Sequence, residues 1–221
     1  MTLSLLCVTK GEPHAAEFLA DTSVQAAALG AEFVVAHDGD FLAGADAEIA
    51  ARLSAIPKLG ANSMHYLVKS NGSIESVLDE AASVCSGDYI LRIDDDELIS
   101  AEMMLWLYSG EYTQSDVWSF PRKHLWRDGY LTNPPLYPDI QTRLTVKEKA
   151  GGRKQVHDGS PFGAGRVANV HILHHKFLVK SYVERKALAA RYDSLREGAG
   201  TGHWLPFNLP EDAFETLEVA K

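Results

Sequence analysis

Cysteine is scarce in this sequence, and that scarcity excludes a small domain held together by disulfide bonds. Among 221 residues only Cys7 and Cys85 are cysteines, and both lie beside apolar or small residues near predicted strands. A disulfide framework normally uses more cysteines than two. We therefore expect both to be buried free thiols.

Long hydrophobic runs are missing as well. No segment approaches the roughly 20 consecutive apolar residues that a membrane-spanning helix needs. The first nine residues lack the basic start of a signal peptide, and their apolar stretch is too short, so they predict a first strand instead. We expect a soluble, cytoplasmic protein without a transmembrane segment, and peripheral attachment to a membrane is left open.

Basic residues are outnumbered by acidic ones. The chain has 21 Lys and Arg against 30 Asp and Glu, which gives a formal net charge of -9. Binding along the phosphate backbone of a nucleic acid needs a basic face. The composition therefore argues against nucleic acid as a partner, although a local basic groove remains compatible with it. The 46% of hydrophobic residues is enough for a real core and excludes global disorder.

Strands and helices alternate in the first hundred residues. The hydrophobic pattern predicts strands at Leu3–Thr9, Glu32–His37, Met64–Val68 and Tyr89–Ile93. It predicts helices from Gly11-Glu12-Pro13 to Gly30, near Asp46–Ile56, and from Ile74 to Val84. This order predicts an α/β fold with a mostly parallel central sheet flanked by helices. In such sheets ligands bind beyond the carboxyl ends of the strands.

The second half of the chain has a different pattern. It predicts a helix from Ser100 to about Tyr108, strands at Val117–Lys123 and Val167–His174, and an amphipathic helix at Val179–Glu197. Between these elements the sequence is rich in aromatic residues, proline and glycine.

Four consecutive acidic residues, Asp94 to Glu97, follow the fourth predicted strand. Two unit charges about 4 Å apart repel by roughly 1 kcal/mol in water and about 4 kcal/mol at an effective dielectric constant of 20. A magnesium or manganese ion removes that cost and leaves positions for substrate phosphates. In an extended segment Asp94 and Asp96 point the same way, so both are predicted to face one cation. The alternatives are a solvated acidic loop or a helix N-terminus that favours negative charge near Ser100.

Other polar residues lie at the same predicted edge. Asp38 ends the second strand, where its carboxylate can accept hydrogen bonds from a nucleotide base or ribose, although Asp-Gly-Asp is also ordinary turn chemistry. Asn71-Gly72 precedes the third helix, where a turn and cap is an equally good explanation.

Together, these segments resemble the family 2 glycosyltransferases of the GT-A fold. The resemblance is carried by Asn71-Gly72, the helix after it, and the run Gly87-Asp88-Tyr89-Ile90-Leu91-Arg92-Ile93-Asp94-Asp95-Asp96-Glu97, which contains a D-x-D motif. It covers about Leu3 to Ile99. It is weaker beyond, where Tyr137-Pro138-Asp139 and Val156-His157 resemble a subset of these enzymes. One departure is Leu78-Asp79, where many members carry Arg-Asn.

The resemblance implies one GT-A-like domain over residues 1–221, with a nucleotide-sugar-binding half (1–99) and an acceptor-binding half with C-terminal helices (100–221). It implies a UDP- or GDP-sugar donor, a saccharide, lipid-linked or protein acceptor, and transfer with inversion. The donor side is assigned to Thr9, Asp38, Asn71, Asp94 and Asp95. The bound Mn2+ or Mg2+ is assigned to Asp94, Asp96 and His174.

Residues in the second half of the chain are also assigned roles in sugar transfer. Asp139 is our choice for the general base that deprotonates the acceptor hydroxyl, with Asp158 and Glu97 as rivals. The acceptor contacts are assigned to Trp126, Arg143 and His157, and His157 is also our second choice for the third metal ligand.

Two other functions remain open from the sequence. One is a phosphatase or phosphotransferase with an Asp-x-Asp nucleophile. Such an enzyme usually carries that pair after its first strand with a small β-branched residue two positions on, whereas here the strand is the fourth and the residue is Leu98. The other is a nucleotide-sugar-binding module without turnover. The sugar, the acceptor and the oligomeric state are not given by the sequence.

Overall fold

The structure, a computed structural model, describes residues 1–39, 63–70, 73–134, 136–151, 165–200, 208–210, 212–213 and 219–220. It has the predicted α/β architecture, with a mixed central sheet that helices flank. The predicted helix near Asp46–Ile56 and the predicted site residues Asn71, His157 and Asp158 lie outside the described residues.

The described strands are β1 (Leu3–Thr9), β2 (Glu32–Asp38), β3 (Ser63–Val68), β4 (Tyr89–Arg92), β5 (Glu97–Ile99), β6 (Val117–Trp126), β7 (Gly129–Leu131), β8 (Asp139–Val146), β9 (Arg166–Val167), β10 (Ile172–His174) and β11 (Val219–Ala220). The described α-helices are α1 (Ala15–Leu29), α2 (Leu78–Val84), α3 (Ala101–Tyr108), α4 (Lys176–Val179) and α5 (Tyr182–Leu195). In the part of the chain that the structure describes, short 3-10 helices lie at Ile74–Val77, Glu111–Gln114 and Lys147–Lys149.

The N-terminal half of the sheet is parallel, as its sequence predicts. β1 pairs in parallel with β2 on one side and β4 on the other, and β2 pairs in parallel with β3. Gly30 ends α1 in the left-handed region, at a φ of 63°, which glycine adopts at little cost. The carboxyl ends of β1, β2 and β4 therefore meet at one edge of the sheet.

The C-terminal half extends the sheet with antiparallel pairs. β8 lies antiparallel between β4 and β6, and β6 continues through a hairpin into β7. β10 pairs in parallel with β6 and antiparallel with β5, so it connects the end of the parallel half to the antiparallel half. This arrangement brings residues of β5, β6, β8 and β10 next to the acidic segment.

Three predicted elements are divided in the structure. The single strand predicted at Val167–His174 is two short strands, β9 and β10, and the helix predicted from Ile74 begins as a 3-10 turn before α2. The helix predicted at Val179–Glu197 is α5, preceded by the separate short helix α4. Ser100 caps α3 as expected, because its hydroxyl accepts a hydrogen bond from the Met103 amide.

The core covers both faces of the parallel strands. In β1, Leu5 and Cys7 pack into a cluster with residues of α1 and α3, whereas Leu6 and Val8 pack into a second cluster with residues of α2. Burial on both faces explains why β1, β2 and β4 are largely continuous apolar runs rather than alternating ones, whereas β3 is only partly buried.

Both cysteines are buried and free, which confirms the prediction. Cys7 lies in the first core cluster and Cys85 in the second, so they belong to different clusters of the core. In the part of the chain that the structure describes, no helix has the length and apolar character to cross a membrane.

Candidate active site

The acidic residues form a turn at the sheet edge. The Glu97 amide donates to the Asp94 carbonyl at 3.0 Å, and β5 begins directly after the turn at Asp95-Asp96. We call Asp94–Glu97 the acidic turn. The extended backbone that the prediction assumed for Asp94 to Asp96 is wrong, because the chain turns at Asp95-Asp96. The assignment of Asp94 and Asp96 to one cation stays a prediction.

Asp94 is paired with arginine. Its Oδ2 accepts a hydrogen bond from Arg143 Nη2 at 2.5 Å, and its Oδ1 lies 3.7 Å from Arg92 Nε. The same Arg143 nitrogen donates to Glu97 Oε1 at 2.8 Å. Arg143 is buried, so the predicted contact between its guanidinium and an acceptor does not fit this arrangement.

Glu97 is the most enclosed member of the acidic turn. Its side chain is fully buried, and Oε1 also accepts a hydrogen bond from Arg122 Nη1 at 2.9 Å. Burial and the neighbouring charge of Asp94 raise the pKa of Glu97 to about 8, and the Arg122 guanidinium opposes that rise.

Asp95 and Thr9 link the ends of two parallel strands. Thr9 donates its hydroxyl hydrogen to Asp95 Oδ2 at 2.6 Å, and the Gly11 amide donates to the Thr9 hydroxyl at 3.0 Å. Burial and the charge of Asp96 raise the pKa of Asp95 to about 7. Two residues assigned to the donor are therefore in contact at the carboxyl edge, and their role in donor binding stays a prediction.

Asp38 lies at the end of β2 and is buried. Its carboxylate accepts hydrogen bonds from the Ser70 amide, at 3.1 Å, and from the Ser70 hydroxyl. The contact ties the ends of β2 and β3 together. It also occupies oxygens that the sequence assigned to a nucleotide, and the nucleotide role of Asp38 stays a prediction.

Asp96 and His174 meet at the same edge. His174 Nε2 lies 3.3 Å from Asp96 Oδ1, and both side chains are buried. The pairing of β10 with β5 places His174 opposite Glu97 and so directly beside the acidic turn. Burial lowers the pKa of His174 well below its usual value, although the Asp96 carboxylate opposes the shift.

Asp139 is held by three side chains. Arg122 donates to its Oδ2 through Nε at 2.8 Å and Nη2 at 2.5 Å, His124 Nε2 lies 3.0 Å from the same oxygen, and Gln141 donates to Oδ1 at 2.6 Å. Burial favours a higher pKa for Asp139, but the Arg122 guanidinium and the contact with His124 outweigh it and hold the pKa well below its usual range. A carboxylate with so low a proton affinity is a poor general base in this arrangement. The catalytic role of Asp139 stays a prediction.

Sequence reasoning assigned no role to Arg122 or His124. The strand was predicted to end at Lys123, whereas β6 continues to Trp126, so His124 fell outside it. Their spacing in the sequence does indicate that Arg122 and His124 lie on the same face of the strand, because residues two apart on a strand share a face. This face of β6 contacts Asp139 on β8 and His174 on β10. Both residues are distant in the sequence, so the sequence pattern of β6 does not reveal these contacts.

Trp126 is half-buried at the end of β6. It packs against a small apolar cluster of Leu131, Leu136 and Phe177. The exposed turn of the hairpin is Arg127-Asp128. The acceptor role of Trp126 stays a prediction, as does that of His157, which lies outside the described residues.

Positively charged side chains also lie near this edge of the sheet, close to the C-terminal helices. Lys10 follows β1, and its ammonium lies 5.7 Å from the centre of the Tyr192 ring on α5. Burial and the nearby Arg191 lower the pKa of Lys10, whereas Asp95 and Asp38 raise it. Burial also lowers the pKa of Lys180, which pairs with Glu12, to about 8. The site thus combines carboxylates and cations at one end of the sheet.

The residues were tested for their fit to a divalent cation. Within the described ranges, no three His, Cys, Asp or Glu side chains come together as a group that could hold a metal. Asp96 and His174 do supply two donors 3.3 Å apart. Magnesium-type sites commonly use one or two protein ligands and complete their coordination with substrate phosphates and water. The pair therefore fits a cation that arrives with its substrate.

Comparisons with known proteins identify the fold. No family model and no curated protein matches the sequence. Among solved structures, Staphylococcus aureus TarS 1-349 matches with 15% identity over 98% of this chain and 72% of that chain, at a TM-score of 0.53. HddC from Yersinia pseudotuberculosis complexed with GMP-PN matches with 11% identity over 79% of this chain and 93% of that chain, at a TM-score of 0.50.

A longer TarS structure is covered over only 45% of its length by this chain, at a TM-score of 0.48. At these identities the comparisons show the fold, and the activity is a separate question.

Proposed function

We propose that this protein is a glycosyltransferase that takes a sugar from a nucleotide-diphosphate donor in the presence of Mn2+ or Mg2+. The observation that carries the proposal is the meeting of Asp96 and His174 at the carboxyl edge of the parallel strands. The D-x-D motif and the histidine were assigned to one cation from the sequence, and they come from distant parts of the chain.

The cation would be held by Asp96 and His174, and when bound it screens the diphosphate and stabilises charge on the departing group. Asp94 was assigned to the same ion, but its carboxylate is engaged by Arg143. Its role in donor binding rests on the resemblance. Lys10 adds positive charge to the same edge, since its electrostatic neighbours include Asp95 and Asp38, and it suits a position near the diphosphate.

Thr9 and Asp95 would bind the nucleoside side of the donor, together with Asp38 and Asn71. Thr9 and Asp95 are already in contact, so they form one polar surface at the end of β1. One fold neighbour, HddC from Yersinia pseudotuberculosis, has been crystallised with GMP-PN, which supports nucleotide binding by a protein of this fold.

Transfer would be a single displacement, in which the acceptor hydroxyl attacks the anomeric carbon and the nucleoside diphosphate leaves with inversion. The resemblance implies this course. A base must take the hydroxyl proton, and Asp139 would first have to loosen its contacts with Arg122 and His124. The rival Asp158 stays a candidate, and Glu97 is fully buried between two arginines.

An alternative is nucleotidyl transfer, since the fold neighbour HddC has been crystallised with the nucleotide ligand GMP-PN. Such an enzyme would join a nucleoside triphosphate to a sugar phosphate and release pyrophosphate. A phosphatase with an Asp-x-Asp nucleophile would instead cleave a simple phosphate ester. The three reactions release different products.

A product assay separates these functions. The protein is incubated with UDP- and GDP-sugars, Mn2+ and a panel of saccharide, lipid-linked and protein acceptors, and products are read by mass spectrometry. We expect nucleoside diphosphate and a mass increase of one sugar on an acceptor. Asp96→Asn should abolish this activity. Asp116→Asn is the matched control, because Asp116 is an exposed residue paired with Lys149, and it should keep the activity.

Pyrophosphate release from a nucleoside triphosphate and a sugar phosphate would replace the proposal with nucleotidyl transfer. Full sugar transfer by Asp96→Asn would refute the assigned cation site. Donor binding without transfer to any acceptor would leave a binding module.

A further inference from the structure

Three aromatic side chains meet on the sheet at a place separate from the acidic turn. The Tyr137 hydroxyl lies 3.1 Å from His171 Nε2, and the centres of these two rings are 6.2 Å apart with 25° between their planes. The centre of the Tyr130 ring lies 5.3 Å from that of Tyr137, at an interplanar angle of 60°. We call Tyr130, Tyr137 and His171 the aromatic corner.

Strand register places Tyr130 on the face of the sheet opposite the site residues of β6. Arg122 and His124 contact the carboxylates of the site on one face, so Lys123 between them points to the other face. Tyr130 on β7 is the direct antiparallel partner of Leu125, which lies two residues after Lys123. Lys123 and Tyr130 therefore share a face, and the Lys123 ammonium lies 4.6 Å from the centre of the Tyr130 ring.

His171 and Tyr137 lie on that same face. Leu173 on β10 is the parallel partner of Lys123, and His171 lies two residues before Leu173. Burial lowers the pKa of His171, and the nearby charge of Lys123 adds to that shift, in agreement with this placement. Tyr137 is joined to His171 through its hydroxyl. The whole aromatic corner is therefore on the face that points away from the acidic turn.

A hydrogen bond makes two of the rings one flat surface. The lone pair of an imidazole nitrogen lies in the plane of its ring, so a hydrogen bond with a phenol hydroxyl favours rings that are close to coplanar. The angle of 25° between the planes of Tyr137 and His171 fits this edge-to-edge arrangement. The two rings together form a surface two rings wide, and Tyr130 stands at an angle to it.

The aromatic corner is open to solvent and has polar groups at its rim. All three of its rings are half-buried, so part of each ring is exposed. The ammonium of Lys123 is a hydrogen-bond donor beside Tyr130. Glu102 is exposed in the first turn of α3, has Lys123 and His171 among its electrostatic neighbours, and offers acceptor oxygens.

We propose that the aromatic corner is a saccharide-binding site separate from the acidic turn. The C–H face of a sugar ring is flat and apolar, which suits a surface two aromatic rings wide. The hydroxyls around a sugar ring both donate and accept hydrogen bonds, which suits an ammonium and a carboxylate at the rim. Aromatic walls with a few placed polar groups are typical of sites for small ligands. A nucleic acid fits poorly, because the chain has a net charge of -9 and Glu102 lies beside the rings.

The position of the aromatic corner indicates how such a site would be used. It lies at the level of Arg122 and His124 along β6 but on the other face of the sheet, so a single sugar bound there does not contact the acidic turn. A saccharide chain of several units can pass around the sheet edge, and binding at one end raises the effective concentration of the other end. This use as an anchor for an extended acceptor rests on the proposed function, whereas saccharide binding itself does not.

Binding is tested with the metal-free protein and without a donor. The protein is applied to an array of neutral and anionic oligosaccharides, and the oligosaccharide that binds best is then used in saturation-transfer difference NMR. We expect binding, with the strongest saturation transfer to the C–H protons on one face of a sugar ring. Failure to bind any oligosaccharide on the array would overturn the inference.

Variants locate the bound oligosaccharide. Tyr137→Ala removes half of the flat surface, and we expect it to weaken binding by about tenfold, which corresponds to ~1.4 kcal/mol. His171→Ala removes the other half and takes the place of Tyr137→Ala if that variant does not fold. Tyr108→Ala is the matched control, because Tyr108 is a 79% exposed tyrosine at the end of α3, and it should keep the wild-type affinity. Wild-type affinity in folded Tyr137→Ala or His171→Ala would overturn the inference.

Two further outcomes would place the ligand elsewhere. Asp96→Asn should bind the oligosaccharide as well as wild type does, and loss of binding in Asp96→Asn with wild-type binding in Tyr137→Ala would place the saccharide at the acidic turn. Self-association that Tyr137→Ala abolishes, without oligosaccharide binding, would make the aromatic corner an interface between copies of the chain. Either result would overturn the inference.

Sugar transfer assays test the anchoring role. Tyr137→Ala should raise the KM for an extended saccharide acceptor more than the KM for its monosaccharide unit. Equal changes in the two KM values would overturn the anchoring role and leave saccharide binding in place. Oligosaccharide binding by a protein that transfers no sugar would overturn the proposed function and leave the site at the aromatic corner standing.

Discussion

Arg122 lies between two buried carboxylates, and its charge is what makes their burial tolerable. It donates to Glu97 at 2.9 Å and to Asp139 at 2.8 and 2.5 Å, and all three side chains are buried. Buried ion pairs gain little over apolar residues when they are complete, but removal of one partner leaves an uncompensated charge.

We predict that Arg122→Met lowers the free energy of unfolding by about 3–5 kcal/mol, because Asp139 loses its main counter-charge inside the protein. Urea unfolding at neutral pH measures the change. Lys149→Met is the control, since Lys149 pairs with Asp116 at the surface at 2.8 Å, and such pairs contribute about 0–1 kcal/mol. Similar losses in both variants would show that Arg122 is not the essential counter-charge.

His37, which lies outside the acidic turn, makes the free energy of unfolding depend on pH. The ring is buried at the end of β2, with Nε2 3.1 Å from His65 Nδ1, and burial together with His65 lowers the pKa of His37 from 6.5 to about 4. In this interval the unfolded chain binds more protons than the folded one. The stability from neutral His37 is therefore complete above pH 6.5 and is lost as the pH falls toward 4.

We predict that this residue alone makes the wild-type protein about 2 kcal/mol less stable at pH 5 than at pH 7, given about 1.4 kcal/mol per pKa unit. Urea unfolding of wild type and His37→Gln at both pH values measures the difference. His37→Gln should lose less stability between pH 7 and pH 5 than wild type does. An identical pH dependence in the two proteins would contradict the assignment.

At the scale of secondary-structure elements, the sequence predicts those features that nearby residues specify. The apolar runs of β1 and β4, the glycine after α1 and the serine before α3 each lie within a few residues of the feature they specify. The direction of the acidic turn was mispredicted because it depends on β5, a three-residue strand that pairs with β10 far along the chain. The local hydrophobic pattern does not specify which distant strands pair or in which register. The contacts of Asp139 and His174 depend on that pairing, so only the structure shows them.

Helix α5 begins with a strong local signal of this kind. The Ser181 hydroxyl accepts from the Glu184 amide, and the Glu184 carboxylate accepts from the Ser181 amide at 2.8 Å, which together form a capping box. The helix is tied to the rest of the molecule through buried Arg185, which donates to the carbonyls of Lys180 and Leu209 at 2.7 Å each. These contacts hold the N-terminal end of α5 in place. The same helix contains Arg191 and Tyr192, which lie close to Lys10.

We predict that Ser181→Ala lowers the free energy of unfolding by about 1 kcal/mol, because the Glu184 amide at the helix start loses the hydroxyl that accepts its hydrogen bond. Thermal or urea unfolding measures the effect. Ser194→Ala is the control, since Ser194 lies in the last turn of the same helix and only donates to the Arg191 carbonyl. A larger loss from Ser194→Ala than from Ser181→Ala would contradict the capping role.

At the scale of the molecule, the site is assembled from two halves of the sheet. The parallel half supplies Thr9, Asp38 and the acidic turn, and the antiparallel half, with β10, supplies Arg122, Asp139, Arg143 and His174. A ligand that bridges Thr9 and Asp95 to the Asp96–His174 pair would touch both halves. Such a ligand binds the folded chain and not the unfolded one, so it raises the stability of the whole fold.

We predict that UDP at about 100 times its dissociation constant adds roughly 2.7 kcal/mol to the free energy of unfolding when Mn2+ is present. Without Mn2+ the same UDP concentration should add much less, because the diphosphate lacks its counter-charge. Thermal unfolding with UDP, with Mn2+, and with both measures the coupling. Asp96→Asn should lose the Mn2+-dependent part, whereas Asp116→Asn, changed at an exposed carboxylate, should keep it. Equal stabilisation by UDP with and without Mn2+ would show that the donor is held by the protein's own cations, with Lys10 and its neighbours as the first residues to test.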